Sequence, residues 1–126
     1  MSNRFDLIRE WAAEKGILSA GDVKTQYVKL QEEAGELAKA IMNDDYDEFV
    51  DAIGDCVVVL TSLAELGNKH FDTKEPYSED VAGDGGSRMD FPGTKISIES
   101  CIDAAYEEIK GRNGKMVNGT FIKTKT

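Results

Sequence analysis

The feature that most constrains the fold is the spacing of apolar residues between positions 23 and 41. Val23, Tyr27, Leu30, Ala34, Leu37 and Ile41 recur at alternating intervals of four and three. That is one face of an α-helix with about 3.6 residues per turn, and a strand of period two does not produce it. Asp22 stands at the N-cap position and Asn43 near the far end, so the spacing predicts a helix over 23–42. Phe49, Ile53, Cys56, Val57, Leu60 and Ala64 then form a second helical stripe. It predicts a helix over 46–66, capped by Asp44 or Asp45 and stopped by Gly67. Val58 and Val59 lie off this stripe, so the C-terminal half is apolar nearly all round and is expected to be buried on more than one side.

Two shorter helices flank this pair. The first is expected over 3–15, with Ser2 or Asn3 as its cap, Gly16 as its stop and Trp11 in the core. The other is expected over 97–110, with Ile98, Cys101, Ile102, Ala105 and Ile109 on one face. Between them, 68–95 holds both prolines and four glycines and reads as a long loop, either a lid or a tolerated insertion. His70, the only histidine, falls in that segment and reads as solvated. Near the C-terminus, Met116-Val117 and Thr120-Phe121-Ile122 flank Asn118-Gly119, which suits a type I′ hairpin turn. The expected fold is therefore all-α. It is a four-helix bundle-like core, with a long loop before the last helix and a short C-terminal hairpin or extended tail. At 126 residues the chain supports one core, so 1–126 is read as a single domain.

Charge narrows the partners. A net charge of −9 argues against a general nucleic-acid binder, which needs clustered Lys and Arg. An acidic protein still binds an anionic ligand when divalent ions stand between them. No segment approaches the run of about 18 apolar residues that spans a membrane. The first 15 residues are charged throughout and lack an apolar signal core, so a cytoplasmic location is expected. Cys56 and Cys101 lack metal-ligand spacing and are expected as buried, reduced thiols. The last 17 residues hold five Lys or Arg and no acid, which makes the tail the place to look for phosphate contacts.

The acidic residues have their own geometry. At about 100° per residue, Gln26, Lys29, Glu33 and Glu36 form one polar stripe bordering the apolar face of the 23–42 helix, and Glu32 points nearly opposite that face. Glu33 and Glu36, one turn apart, can converge on a single hard cation such as Mg²⁺. On the next helix Glu48 and Asp55 share a flank, with Asp55 about 150° from the apolar stripe and Asp51 nearly opposite it. A short turn at 43–45 makes the two helices antiparallel, so their acidic flanks can face each other. Carboxylates gathered in this way repel unless a positive charge lies between them. A solvated acidic face accounts for the same composition, so the order of the neighbouring residues has to decide.

That order is informative. Lys29-Leu30-Gln31-Glu32-Glu33-Ala34-Gly35-Glu36-Leu37-Ala38-Lys39-Ala40-Ile41 resembles the EExxE helix of the MazG-like all-α nucleoside triphosphate pyrophosphohydrolases. Asp51-Ala52-Ile53-Gly54-Asp55-Cys56-Val57-Val58-Val59-Leu60 resembles their second motif, ExxD followed by an apolar run. The stretch from Ala105 to Phe121 is similar to the end of phage-type members. The resemblance implies a helical bundle, usually a homodimer or homotetramer. It implies hydrolysis of a nucleoside or deoxynucleoside triphosphate to monophosphate and pyrophosphate, with Mg²⁺ as cofactor and Mn²⁺ as an alternative. Carried over residue by residue, it implies metal ligation by Glu33, Glu36 and Asp55, with Glu32 assisting catalysis or orienting water. Lys110, Arg112 and Lys115 would neutralise the pyrophosphate, and Lys29 is a further substrate contact. Trp11 or Tyr106 could stack on the base.

One position departs from the pattern. The glutamate of ExxD falls on Ala52, which cannot bind a metal. Glu48 lies one turn earlier, and Asp51 forms an i, i+4 pair with Asp55; either can substitute, and Asp51 is preferred. If neither does, the chain is a non-catalytic helical module that binds nucleotide or a partner protein, or a purely structural oligomer.

Overall fold

The computed structural model describes residues 3–71 and 95–124. In chain order the elements are α1 (Arg4–Glu14), a single helical turn α2 (Ile17–Ala20), α3 (Val23–Met42), α4 (Tyr46–His70), α5 (Ile98–Ile109), β1 (Gly114–Val117) and β2 (Thr120–Lys123). The all-α core and the C-terminal hairpin are as expected. The lid or insertion assigned to 68–95 lies largely outside the described residues.

The four longer helices all start at a residue whose side chain takes up a free backbone N–H. Asn3 accepts from the Asp6 amide at 2.8 Å, Asp22 from Thr25 at 2.8 Å, Asp45 from Glu48 at 3.1 Å and Ser97 from Ser100 at 3.0 Å. Asp45 is thus the cap of α4, while Asp44 turns the chain with φ 56. Gly16, with φ 83, ends α1 and leads into α2, a turn the apolar spacing did not announce.

The core is the seam between α3 and α4, and it differs from the stripes read in sequence. The inward residues of α3 are Gln26, Leu30, Glu33, Leu37 and Ala40; those of α4 are Ala52, Asp55, Val59, Ser62 and Leu66. Phe49, Ile53 and Leu60, expected at the centre of the buried stripe, are 40%, 43% and 38% exposed. Tyr27 and Ile41 of α3 are also exposed. The physical reason is size. Ala40, Ala52 and Ser62 let the helices approach closely at their positions, Leu30, Leu37, Val59 and Leu66 fill the seam between them, and Tyr27, Phe49 and Ile53 are left on the outer face. The apolar stripes therefore mark the seam only in part: Leu30 and Leu37 turn inward as expected, while Tyr27, Ile41, Phe49 and Ile53 do not. The expectation that the second half of α4 is enclosed on several sides does hold, with Leu60 as the exposed exception between 56 and 67.

α5 reaches this pair through two adjacent residues. Gly67 lies beside Ile96, whose Cδ1 would make an ordinary 3.5 Å contact with a Cβ there. The Asn68 amide donates to the Ile96 carbonyl at 2.8 Å, and its oxygen accepts from the Ile96 N–H at 2.7 Å. Gly67 is not a helix stop, because α4 continues through it to His70. His70 lies on that last turn, edge-on to Phe71 at 4.7 Å, and not in a loop. Arg9 ties the periphery together. It donates to Glu99 at 2.8 and 2.9 Å and to Asp6 at 2.6 Å, and lies 3.8 Å from Glu65. These contacts hold α1, α4 and α5 in register.

Two buried assignments are corrected. Trp11 is 44% exposed, because Ala12 is the residue of α1 that faces the core. Cys101 is exposed and Cys56 only half-buried. Cys101 lines a groove of about 710 Å³ between the outer face of α3–α4 and α5, together with Tyr27, Val28, Leu60, Leu63 and Ile98. No described helix is long and apolar enough to cross a membrane.

The hairpin pairs Lys115 with Ile122 and Met116 with Phe121, closing through Asn118 and Gly119 at φ 50 and 84. These positive angles are the type I′ turn that Asn-Gly predicts. The Phe121 ring lies over Gly114, where a Cβ would strike it. Both strands are exposed along their whole length.

Candidate metal centre

Glu33 and Asp55 sit on the inward stripes of α3 and α4, so the seam that forms the core also carries two acids. Glu33 lies between Leu30 and Leu37, and Asp55 between Ala52 and Val59. Each is half-buried. Burial is the largest influence raising the Asp55 pKa above the ordinary carboxylate range, followed by the negative charges of Asp51 and Glu33. Lys29 opposes the shift without cancelling it. The site therefore carries negative charge that the protein does not fully neutralise, and a hard cation would relieve that.

Lys29 is the cation closest to the cluster. Its Nζ lies 3.3 Å from Glu32 Oε1 and 3.6 Å from Glu33 Oε2. These two carboxylates, Glu32 first, raise the Lys29 pKa. Glu32 itself is exposed, as its angle on the helix predicts, and touches the site through Lys29. Glu36 is exposed one turn beyond Glu33.

The structure thus brings Glu33, Asp51, Asp55 and Lys29 into one electrostatic unit, with Glu32 joined to it through Lys29. Among the described residues no three His, Cys, Asp or Glu side chains converge as a closed ligand set. The donor chemistry still suits Mg²⁺ or Mn²⁺, because every candidate supplies a hard oxygen and the donors come from two facing helices. Ala52, where the motif has glutamate, is 1% exposed on the inward stripe beside Asp55. A packed methyl group fills that position. Asp51 acts directly on Asp55, while the Glu48 carboxylate is exposed and not among the main influences on it.

The basic residues lie elsewhere. Lys110 follows α5 and pairs with Glu107 at 2.8 Å, while Arg112 and Lys115 continue into the hairpin. All three are exposed. Among the described residues the hairpin makes extensive contact only with itself. The single chain does not bring these bases to the carboxylates. Tyr106 is exposed on α5, and Trp11 is on α1, which packs on α2 and α4.

Residues 22–81 match the family model of the MazG nucleotide pyrophosphohydrolase domain. This stretch, just under half of the chain, is similar to the MazG family. The MazG match begins at the Asp22 cap and takes in all of α3 and α4, the two helices that carry the acids. The chain is also 35% identical over 66 residues to the uncharacterized 18.2 kDa protein in the rep-hol intergenic region of Haemophilus phage HP1 (strain HP1c1). That stretch is 52% of this chain and 39% of the phage protein. No solved structure matches the chain significantly.

The inward position of Asp55 was missed in the angular reading of the sequence, which measured from the bulky stripe. The signal that finds it is the run of small residues at Ala52 and Ser62 on either side, at helical spacing from Asp55.

Proposed function

We propose that the protein hydrolyses nucleoside or deoxynucleoside triphosphates to the monophosphate and pyrophosphate, with Mg²⁺ as cofactor and Mn²⁺ as a substitute. The observation that carries this reading is the pair Glu33 and Asp55, half-buried in one helix seam, with the Asp55 charge left under-neutralised. Carboxylates perturbed by burial together with a neighbouring charge concentrate at functional sites.

Glu33, Glu36, Asp51 and Asp55 would hold the ion, with Asp51 taking the role of the missing motif glutamate. When bound, the ion supplies charge neutralisation at the phosphates and activation of the attacking water. Glu32 orients that water from the rim. Lys29 neutralises charge on the triphosphate, and Lys110, Arg112 and Lys115 take up charge on the departing pyrophosphate, with Arg112 suited to bidentate contact. The active form is a homodimer or homotetramer acting on the cytoplasmic nucleotide pool. Supporting this is the outer face of α3–α4, where Tyr27, Ile41, Phe49, Ile53 and Leu60 are exposed together.

The test is turnover of a panel of NTPs and dNTPs with Mg²⁺ or Mn²⁺, with products separated by ion-exchange chromatography. Monophosphate and pyrophosphate are expected in equal amounts, with loss of at least about 100-fold in Glu33→Gln. Absence of turnover on every nucleotide would sink the reading. Metal alone should raise the melting temperature, since it binds only the folded seam.

A further inference from the structure

The C-terminal hairpin presents a problem that one chain does not solve. A two-stranded hairpin is marginal in water unless something packs on it. Here Met116, Val117, Phe121 and Ile122 are all exposed, on both faces of the ribbon. The same ribbon and its approach carry Lys110, Arg112, Lys115 and Lys123 in a chain whose net charge is −9. Such a segment is complementary to an acidic surface with apolar residues nearby, and the rest of this chain is that surface. Among the described residues its own copy leaves it uncovered.

We infer that the hairpin of one copy packs on the α3–α4 pair of a second copy, and delivers Lys110, Arg112 and Lys115 to that copy's carboxylate cluster. Each site is then composite. Glu33, Asp51 and Asp55 come from one chain and the phosphate-neutralising bases from the other. The inference rests on the pyrophosphohydrolase reading for what the bases do, but not for where the hairpin packs. A reciprocal two-fold contact satisfies both regions at once, because each chain carries one acidic seam and one basic ribbon.

Two measurements separate the parts. In the first, Glu33→Gln and Arg112→Ala/Lys115→Ala chains carry different tags and are co-expressed, and the mixed species is purified through both. A composite site restores one intact centre per mixed dimer, so about half the wild-type rate is expected from two parents that are each nearly inactive. Bases acting within their own chain leave the mixed species as inactive as its parents, which overturns the inference. In the second, a photo-crosslinking residue replaces Phe121 in an equal mixture of ¹⁵N-labelled and unlabelled chains, and crosslinked peptides are identified by mass. Mixed-isotope peptides joining the hairpin to α3 or α4 are expected. Crosslinks confined to a single isotope, or to a foreign protein, overturn the packing. Mixed crosslinks in a protein that hydrolyses no nucleotide uphold the packing and remove the assigned role of the bases.

Discussion

The α3–α4 pair and the arm formed by α5 and the hairpin are held by different physics. α3 and α4 are fixed by one another, through a seam in which Leu30, Leu37, Val59 and Leu66 pack between the small residues Ala40, Ala52 and Ser62. The arm is fixed by local signals: a Ser97–Ser100 capping box, an Asn-Gly turn, and a few bonds from Asn68 and Arg9. The first region offers a rigid place for charges that must be held in position. The second offers bases on a ribbon that its own chain leaves exposed. A site divided in this way is rigid on its carboxylate side and depends on assembly on its phosphate side.

The sharpest way to break this comparison is to remove charge from the seam. Asp55→Asn should reduce kcat about 100- to 1,000-fold, as expected for loss of a group positioned at the reaction centre. Without metal the same variant should melt at or above the wild-type temperature. The raised pKa of Asp55 means that its ionised form is disfavoured by the fold, and a neutral isostere relieves that. Asp51→Asn should lose activity next, and Glu48→Gln should stay within about twofold of wild type. If Glu48→Gln is the more damaging of the pair, Asp51 is not the substitute for the motif glutamate.

Packing gives the second contrast. Leu66 is buried in the seam and Phe121 is exposed on the hairpin. Leu66→Ala should destabilise the helical core by about 2–4 kcal/mol in denaturant unfolding followed by circular dichroism. Phe121→Ala should leave that transition within about 0.5 kcal/mol at concentrations low enough for the chain to be monomeric. Equal losses would mean that the arm and the helix pair share one core.

The sequence made the elements legible and the faces illegible. Caps at Asn3, Asp22 and Asp45, and the Asn118-Gly119 turn, are local chemistry, and each forms as its residue type predicts. Which stripe of α4 turns inward is not local. It depends on how closely two helices can approach, and that favoured Ala52 and Ser62 over Phe49 and Ile53. The same long-range choice placed Asp55 in the seam. Gly67 misled for the opposite reason: as a helix stop it is a local signal, but it is buried inside α4, beside Ile96 from 29 residues further along. The location of the bases relative to the acids was also beyond reach, since no local rule sets the direction of the arm.

The Arg9 cluster sharpens the comparison at the joint between the two regions. Arg9 holds the Asp6 and Glu99 carboxyls below their ordinary range, and they in turn raise the guanidinium pKa. Lowered carboxylate values give stability that is present above the unfolded-state pKa values and is lost as pH falls through the folded ones. The joint should therefore weaken only at the acid end, below the usual carboxylate range. Arg9→Leu should lower Tm by about 5 °C at neutral pH, a modest figure because the groups are partly exposed. It should also flatten the acid limb of Tm against pH. An acid limb unchanged by Arg9→Leu would place the pH sensitivity elsewhere.

The smallest expected effect tests the account of the seam itself. Ser62 is 2% exposed, and its Oγ has no hydrogen-bond partner among the described residues, whereas neighbouring Thr61 bonds the Val57 carbonyl at 2.7 Å. A buried hydroxyl without a partner contributes nothing by hydrogen bonding and is penalised for losing water. If small size is why a serine stands there, alanine should serve as well or better. Ser62→Ala should therefore be neutral or stabilising by up to about 1 kcal/mol, and Ser62→Val, which adds bulk at the point of closest approach, should destabilise by about 1–3 kcal/mol. A destabilising alanine would mean that the hydroxyl is engaged in solution, by water or by residues beyond those described. A tolerated valine would mean that close approach does not set the seam, and the explanation for the inward turn of Asp55 would fail with it.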